Sequence, residues 1–256
     1  MNTNLKPPKE TITVAELFGP VIQGEGSLIG MPTVFVRTGG CDFRCTWCDS
    51  MHAVDHIKHG DEWEEMEAED VLDRIIHLSR GWPMLVSLSG GNPAQQPLGA
   101  LIKAGQALEY SFALETQGTI AQDWFSSLDH LVISPKPPSS GMPFRMEKLV
   151  RCLEAAKATP QIAIKIVIFD EADYEFAREL EDTFPNYAYY LQAGTEQRPP
   201  QPAPSALSTA IALDILRRDV LDRLVWLSDR VLQDHWNNVR VLPQMHALMY
   251  GDKQGV

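Results

Sequence analysis

The chain has 256 residues and carries 22 Lys and Arg against 34 Asp and Glu, a formal net charge of −12. That length suits one large domain or two small ones with a sizeable core, and the acidic balance excludes an ordinary nucleic-acid binder, which shows a basic surface. No apolar run reaches the roughly 18 residues of a membrane span, and the opening "MNTNLKPPKE" has no apolar h-region, so the chain is expected to be cytoplasmic with no secretory signal and no membrane contact.

In chain order, "IQGEG" at 22–26 reads as a Gly-bounded loop before a strand, "TVFVR" at 33–37. "GGCDFRCTWCDS" (39–50) follows directly. The acid is dispersed apart from "DEWEEMEAED" at 61–70. A helix is expected over 68–80, where Val71, Leu72, Ile75, Ile76 and Leu78 make one apolar face. Strand "MLVSLS" (84–89) runs into "LSGGNP" (88–93), and strand "FALE" (112–115) into "LETQGT" (114–119). Strand "HLVIS" (130–134) runs into "SPKPPSSGM" (134–142), whose Lys136 stands between Pro135 and Pro137. A second helix is expected over 145–157, with Leu149, Cys152, Leu153 and Ala156 at helical spacing. Strands "IAIKIVIF" (162–169), "AYYLQ" (188–192) and "VRVL" (239–242) come next, and the Pro-rich "QRPPQPAP" (197–204) is a rigid loop before two further helical segments. The continuously apolar strands suit a parallel sheet covered on both faces, and their alternation with helices predicts an α/β fold built as a parallel sheet or barrel. No internal repeat appears. The whole of 1–256 is read as a single domain, with a Pro-rich loop near 197–204 and a C-terminal helical extension.

Four cysteines in a chain of this size do not make a disulfide scaffold. Cys152 lies on an apolar helix face and reads as a small buried hydrophobe. Cys41, Cys45 and Cys48 sit on the loop after a strand, at spacing Cys-x3-Cys-x2-Cys, where a parallel α/β fold places its chemistry. Three thiolates so close repel one another unless a metal centre shares their charge. Zinc held by Cys45, Cys48, His52 and His56 is one alternative, but it strands Cys41. A thiol redox pair at Cys45 and Cys48 is another. The best fit is a [4Fe–4S] cluster with three irons held by cysteine and the fourth open to a non-protein ligand.

That spacing on the loop after the first barrel strand resembles the radical S-adenosylmethionine superfamily, with Trp47 at the position of the aromatic beside the adenine. The resemblance implies a partial, incomplete TIM-type barrel, with S-adenosylmethionine chelating the open iron. "LSGGNP" is similar to the family's Gly-Gly-Glu-Pro motif, with Asn92 in place of the usual Glu. Taken together, "FGPVIQGEGSLIGMPTVFVRTGGCDFRCTWCDS", "SPKPPSSGM" and "VLPQMHALMYG" (241–251) resemble the 7-carboxy-7-deazaguanine synthase family of the queuosine pathway; 197–237 carries no match. The family is one of radical carbon–nitrogen lyases. Its reaction contracts the ring of 6-carboxy-5,6,7,8-tetrahydropterin with loss of ammonia, after a 5′-deoxyadenosyl radical takes hydrogen from C6. The resemblance implies substrate contacts from Ile22, Gln23, Gly24, Glu25, Arg37, Ser89 and His246. It implies cofactor contacts from Trp47, Cys48, Asp49, Gly90, Gly91, Glu115, Ser134, Pro135, Lys136 and Gln192, and Mg²⁺ on the Ser50 hydroxyl. It also implies a flavodoxin-like electron donor and a homodimer. No general base is identified. Physically, Gln23 can donate and accept and Glu25 is a double acceptor, which together suit an amino-pyrimidine edge, while the Arg37 fork suits a carboxylate. Ordinary roles compete at four of these positions: a salt bridge for Arg37, a helix cap for Ser50, a surface histidine for His246 and a solvated surface lysine for Lys136, where the flanking Pro135 and Pro137 favour a directed role. Two other functions stand beside this one, a different radical enzyme of the activase kind and a non-catalytic zinc-binding protein.

Overall fold

A computed structural model of the chain describes residues 10–196, 206–251, 253 and 255. The Pro-rich stretch expected at 197–204 lies outside the described residues. Nine strands form one sheet: β1 (Thr11–Ile22), β2 (Pro32–Thr38), β3 (Glu64–Glu67), β4 (Leu85–Gly90), β5 (Ser111–Thr116), β6 (His130–Ile133), β7 (Gln161–Ile168), β8 (Ala188–Ala193) and β9 (Val239–Pro243). The helices are α1 (Met51–Val54), α2 (His56–His59), α3 (Ala68–Leu78), α4 (Gly99–Gln106), α5 (Met146–Ala155), α6 (Glu171–Thr183), α7 (Ala206–Gln233) and α8 (Met245–Tyr250). The sheet order is β3-β1-β2-β4-β5-β6-β7-β8-β9. Every neighbouring pair from β2 to β9 is parallel. Since β3 and β9 are the two free edges, the sheet curls without closing, and the α/β fold is a partial barrel.

All seven strands expected from sequence are present and parallel. The two that sequence reasoning missed, β1 and β3, are the antiparallel ones at one edge. β3 reads "EEME", an acidic stretch with helix-like composition. It forms because Thr11 and Thr13 of β1 donate to Glu65 at 2.8 and 2.6 Å and Arg74 pairs with Glu64 across an exposed edge. Charged residues on such an edge also discourage further strand pairing.

Side chains alternate across each strand, and this decides where function sits. One phase faces the helices: Val34 and Val36, Val86 and Leu88, Phe112 and Leu114, Leu131 and Ile133, Ile164, Ile166 and Ile168, Tyr189 and Leu191 all join one large core. α3 adds Val71, Leu72 and Ile75 to it, and α5 adds Leu149, Cys152 and Leu153. The opposite phase faces the barrel interior. Its lower part is a small apolar cluster of Leu28, Leu85, Ala113 and Val132. Above that cluster the same phase carries Arg37, Ser89, Glu115, Ser134, Lys165 and Gln192. The strands are therefore apolar along the helix side, while their inner side is apolar in its lower part and polar towards the C-terminal ends.

Candidate active site

At the C-terminal ends of the parallel strands, where barrel enzymes build their sites, lies one cavity of about 560 Å³. Its walls include Cys41, Cys45 and Cys48, the substrate candidates Ile22, Gln23, Gly24, Glu25, Arg37, Ser89 and His246, and the cofactor candidates Trp47, Asp49, Gly90, Gly91, Glu115 and Lys136, with Ser50. Three cofactor candidates stand behind the wall. Ser134 is buried and accepts from Lys136 Nζ at 3.1 Å; Pro135 is buried beside it. Gln192 is fully buried, donates to Pro243 O at 3.0 Å, and its Oε1 has no hydrogen-bond partner among the described residues.

The cysteine loop is anchored by two Gly-Gly pairs that meet. Gly91 N donates to Thr38 O and Asn92 N to Gly40 O. A Cβ on Gly91 would fall 1.9 Å from Gly40 O, and one on Gly90 (φ +117°) 2.4 Å from the Thr38 backbone, so only glycine fits at both. Asn92, where the family motif has Glu, is fully buried. Its amide donates to Asp42 Oδ1 (2.8 Å) and Thr119 Oγ1 (3.2 Å), and its oxygen accepts from Thr116 Oγ1 (2.8 Å) and Ala94 N (3.3 Å). Gln117 Nε2 donates to Asp42 as well (2.6 Å) and to Cys41 Sγ (3.5 Å). A carboxylate at 92 could not donate to Asp42, so the departure from the motif is matched by its neighbours.

Burial pushes all three thiols up, Cys45 to about 11, and for Cys41 and Cys45 the neighbouring sulfurs add to the rise. Such a set ionises together only around a positive centre. Cys41 Sγ already accepts N–H donors from Phe43 (3.4 Å) and Gln117, contacts that tune sulfur ligands of iron–sulfur clusters. The donor set therefore fits a [4Fe–4S] centre. It does not fit the zinc reading. His52 Nε2 lies 3.4 Å from a Glu16 oxygen and His56 is exposed. Among the described residues, the set of three such ligand atoms gathered within 4.8 Å is Glu25, Asp49 and His246, not the cysteines with a histidine. Cys152 is in the core, far from any such role.

Trp47 is fixed on three sides: Nε1 donates to Ser139 Oγ at 3.0 Å, the ring lies 5.3 Å from Phe169, and Lys136 Nζ sits 5.7 Å from its centroid. Ser50 is the N-cap residue of α1, yet its side chain makes no cap bond. The hydroxyl instead lies 3.4 Å from Gly90 O and 3.7 Å from Cys48 Sγ, on the cavity wall.

Arg37 is both a salt-bridge partner and a cavity residue. Its Nε donates to Glu16 at 3.1 Å, and its guanidinium lies 5.5 and 6.0 Å from the Phe18 and Phe35 rings. Its terminal nitrogens have no hydrogen-bond partner among the described residues. Burial alone would raise the Glu16 carboxyl, but His52 and Arg37 hold it below the usual range. Ser89, the register partner of Arg37, has a buried hydroxyl with no partner among the described residues.

The loop after β1 is locked by the C-terminal segment. Met245 N donates to Gly24 O at 3.0 Å, and a Cβ on Gly24 would meet His246 at 2.8 Å. Gln23 Oε1 accepts from Glu25 N (3.2 Å), Gln244 Nε2 donates to Glu25 Oε1 (2.8 Å), and His246 Nδ1 is 3.8 Å from the same oxygen. Lys165 Nζ bridges Glu25 and Glu115. Sequence reasoning missed Lys165 and Gln244. The signal for the first was present, a lysine inside the apolar run "IAIKIVIF".

The chain matches no family model. It is 36% identical over 247 residues to the 7-carboxy-7-deazaguanine synthase of Bacillus cereus, covering 96% of this chain and 99% of that one. It is 39% identical over 251 residues to the enzyme of the same name from Bacillus subtilis, covering 96% and 98%. Among solved structures, QueE from Escherichia coli superposes with a TM-score of 0.65 at 22% identity, covering 92% of this chain and 95% of that one. SuiB of Streptococcus suis bound to S-adenosylmethionine does so at 0.53 and 16%, covering 82% and 50%. At these identities the two structures speak for the fold alone. With sequence identity sustained over nearly the full length of both bacillary enzymes, the chain belongs to the 7-carboxy-7-deazaguanine synthase family.

Proposed function

We propose that this chain is a radical S-adenosylmethionine lyase that converts 6-carboxy-5,6,7,8-tetrahydropterin to 7-carboxy-7-deazaguanine with loss of ammonia, a step in queuosine biosynthesis. The observation that carries the reading is one cavity in which the three cysteines face an acceptor set and an arginine fork. When bound, the [4Fe–4S] cluster and S-adenosylmethionine supply the radical that removes a hydrogen from the substrate ring. The chain's own residues do the rest by position. Cys41, Cys45 and Cys48 hold the cluster. The backbone at Gly90 and Gly91, the Trp47 ring and the Lys136 and Ser134 pair form the cofactor side, with Asp49, Glu115, Pro135 and Gln192 around it. Gln23 and Glu25 read the amino-pyrimidine edge, with Ile22, Gly24 and His246 closing over it, and the free end of the Arg37 fork takes the carboxylate beside Ser89. Ser50, whose hydroxyl makes no cap bond and faces the cavity, would hold Mg²⁺ beside the substrate carboxylate.

The same reading takes the chain as a single radical S-adenosylmethionine domain, acting in the cytoplasm as a homodimer and reduced by a flavodoxin-like donor. Among the described residues no helix is long and apolar enough to cross a membrane. The test is anaerobic incubation of the reconstituted protein with the carboxy-tetrahydropterin, S-adenosylmethionine and a reductant, with the product read by mass. Cleavage of S-adenosylmethionine without mass conversion of the pterin would favour a different radical enzyme.

A further inference from the structure

We propose that Lys165 is a positioning residue for substrate recognition: its buried ammonium, bridging Glu25 and Glu115, keeps Glu25 ionised and aimed as the double acceptor for the amino-pyrimidine edge. This rests on the reading that the cavity takes a pterin at Glu25.

Lys165 sits in the middle of β7 on the inner phase, is 1% exposed, and donates to carboxylates that lie 140 and 50 residues away in sequence. Its stem is packed in place, since a Cβ on Gly26 would fall 3.2 Å from Lys165 Cδ. A buried ion pair is a poor device for stability, because well-packed apolar residues usually serve as well. The apolar cluster of Leu28, Leu85, Ala113 and Val132 on the same inner face shows that this barrel can be filled that way. A charged triad at the cavity floor needs another reason, and the acceptor count supplies it. An ionised carboxylate offers about four acceptor positions. Lys165 and Gln244 occupy two of those of Glu25, which leaves about two for the ring N–H and exocyclic NH₂ of a bound pterin.

Keeping Glu25 ionised is a real requirement. Its burial by itself pushes the carboxyl up, and Lys165 is the largest opposing influence, followed by His246. The groups facing Glu25 are Lys165 from β7, Glu115 from β5, Gln244 and His246 at the start of α8, and Asp49 from the cysteine loop. Without Lys165, burial and the nearby carboxylates Glu115 and Asp49 favour protonation of Glu25, with only His246 and Gln244 left to oppose it, and a protonated Glu25 is no longer a double acceptor.

The experiment measures equilibrium binding of 6-carboxy-5,6,7,8-tetrahydropterin to the S-adenosylmethionine-loaded holoenzyme, anaerobically and without reductant, for wild type, Lys165→Met, Lys165→Gln and Lys165→Arg between pH 7 and 9. Dividing each variant's Kd by the wild-type Kd at the same pH cancels the ligand's own ionisation. For the two neutral variants the ratio should be about thirtyfold or more at pH 7. It should fall about fivefold or more by pH 9 as Glu25 gives up its proton. Lys165→Arg keeps the charge, so its ratio should be flat with pH whatever its size. A flat ratio for Lys165→Met and Lys165→Gln, or one near unity, overturns the inference while leaving the pterin reading intact. Neutral variants that fail to fold while Lys165→Arg folds would overturn it too, because the charge would then serve the fold. If the wild type does not bind the pterin, the functional reading itself falls and takes this inference with it.

Discussion

Replacing Asn92 with Glu, the residue the family motif leads one to expect, should damage this protein. The amide is fully buried and donates to both Asp42 and Thr119 while accepting from Thr116 and Ala94. Glu keeps the acceptor and loses the donor. Asp42 would then face a second carboxyl in place of an N–H, with only Gln117 still holding it. Losing a hydrogen bond to a buried or charged partner costs about 1–3 kcal/mol, and forcing an extra methylene into a packed site about another 1–3 kcal/mol. Because the two overlap at one site, a total of about 2–4 kcal/mol is expected, or a melting temperature lowered by roughly 5–15 °C for a chain of this size. Asp42 is the neighbour of Cys41, so iron content after reconstitution should fall as well. Asn92→Asp, which loses the donor without the methylene, should fall about halfway. Anaerobic thermal unfolding of the three proteins, with iron analysis of the same samples, tests this. If Asn92→Glu melts with the wild type and loads full iron, the network does not anchor the cysteine loop.

Changing Cys41, Cys45 or Cys48 to Ala should abolish the iron–sulfur absorption. Cys152→Ala should keep it and cost only about 1–2 kcal/mol of stability from the core; loss of the chromophore through Cys152 alone would sink the assignment. Arg37→Ala should lower pterin kcat/KM by about 2–5 kcal/mol, with Lys rescuing in part for want of the fork, while uncoupled cleavage of S-adenosylmethionine continues; equal loss of both would make Arg37 a partner of Glu16 and nothing more. Activity should rise with added Mg²⁺ and Ser50→Ala should blunt that rise without bleaching the cluster; chelator-treated wild type that turns over equally well with and without Mg²⁺ would remove the ion from the scheme.

What the sequence by itself determined is local and periodic. The Cys-x3-Cys-x2-Cys spacing made an iron–sulfur centre the best fit but left zinc and a thiol redox pair as alternatives. The apolar runs located all seven parallel strands, and helical spacing put Cys152 in the core. β1 and β3 escaped because an antiparallel edge needs no continuous apolar run: β1 is half-buried and β3 is almost wholly acidic. Only the tertiary structure decided which polar groups meet. Strand alternation says that Lys165 and Ile166 face opposite sides, but not which side is the cavity; that follows from the sheet order, which curls one phase around the helix-packed core and the other around the site. Pairs such as Lys165 with Glu25, Arg37 with Glu16 and Asn92 with Asp42 are brought together by register between strands and loops distant in sequence. A residue's own type sets which partner it needs, and only the curled geometry of the sheet supplies one.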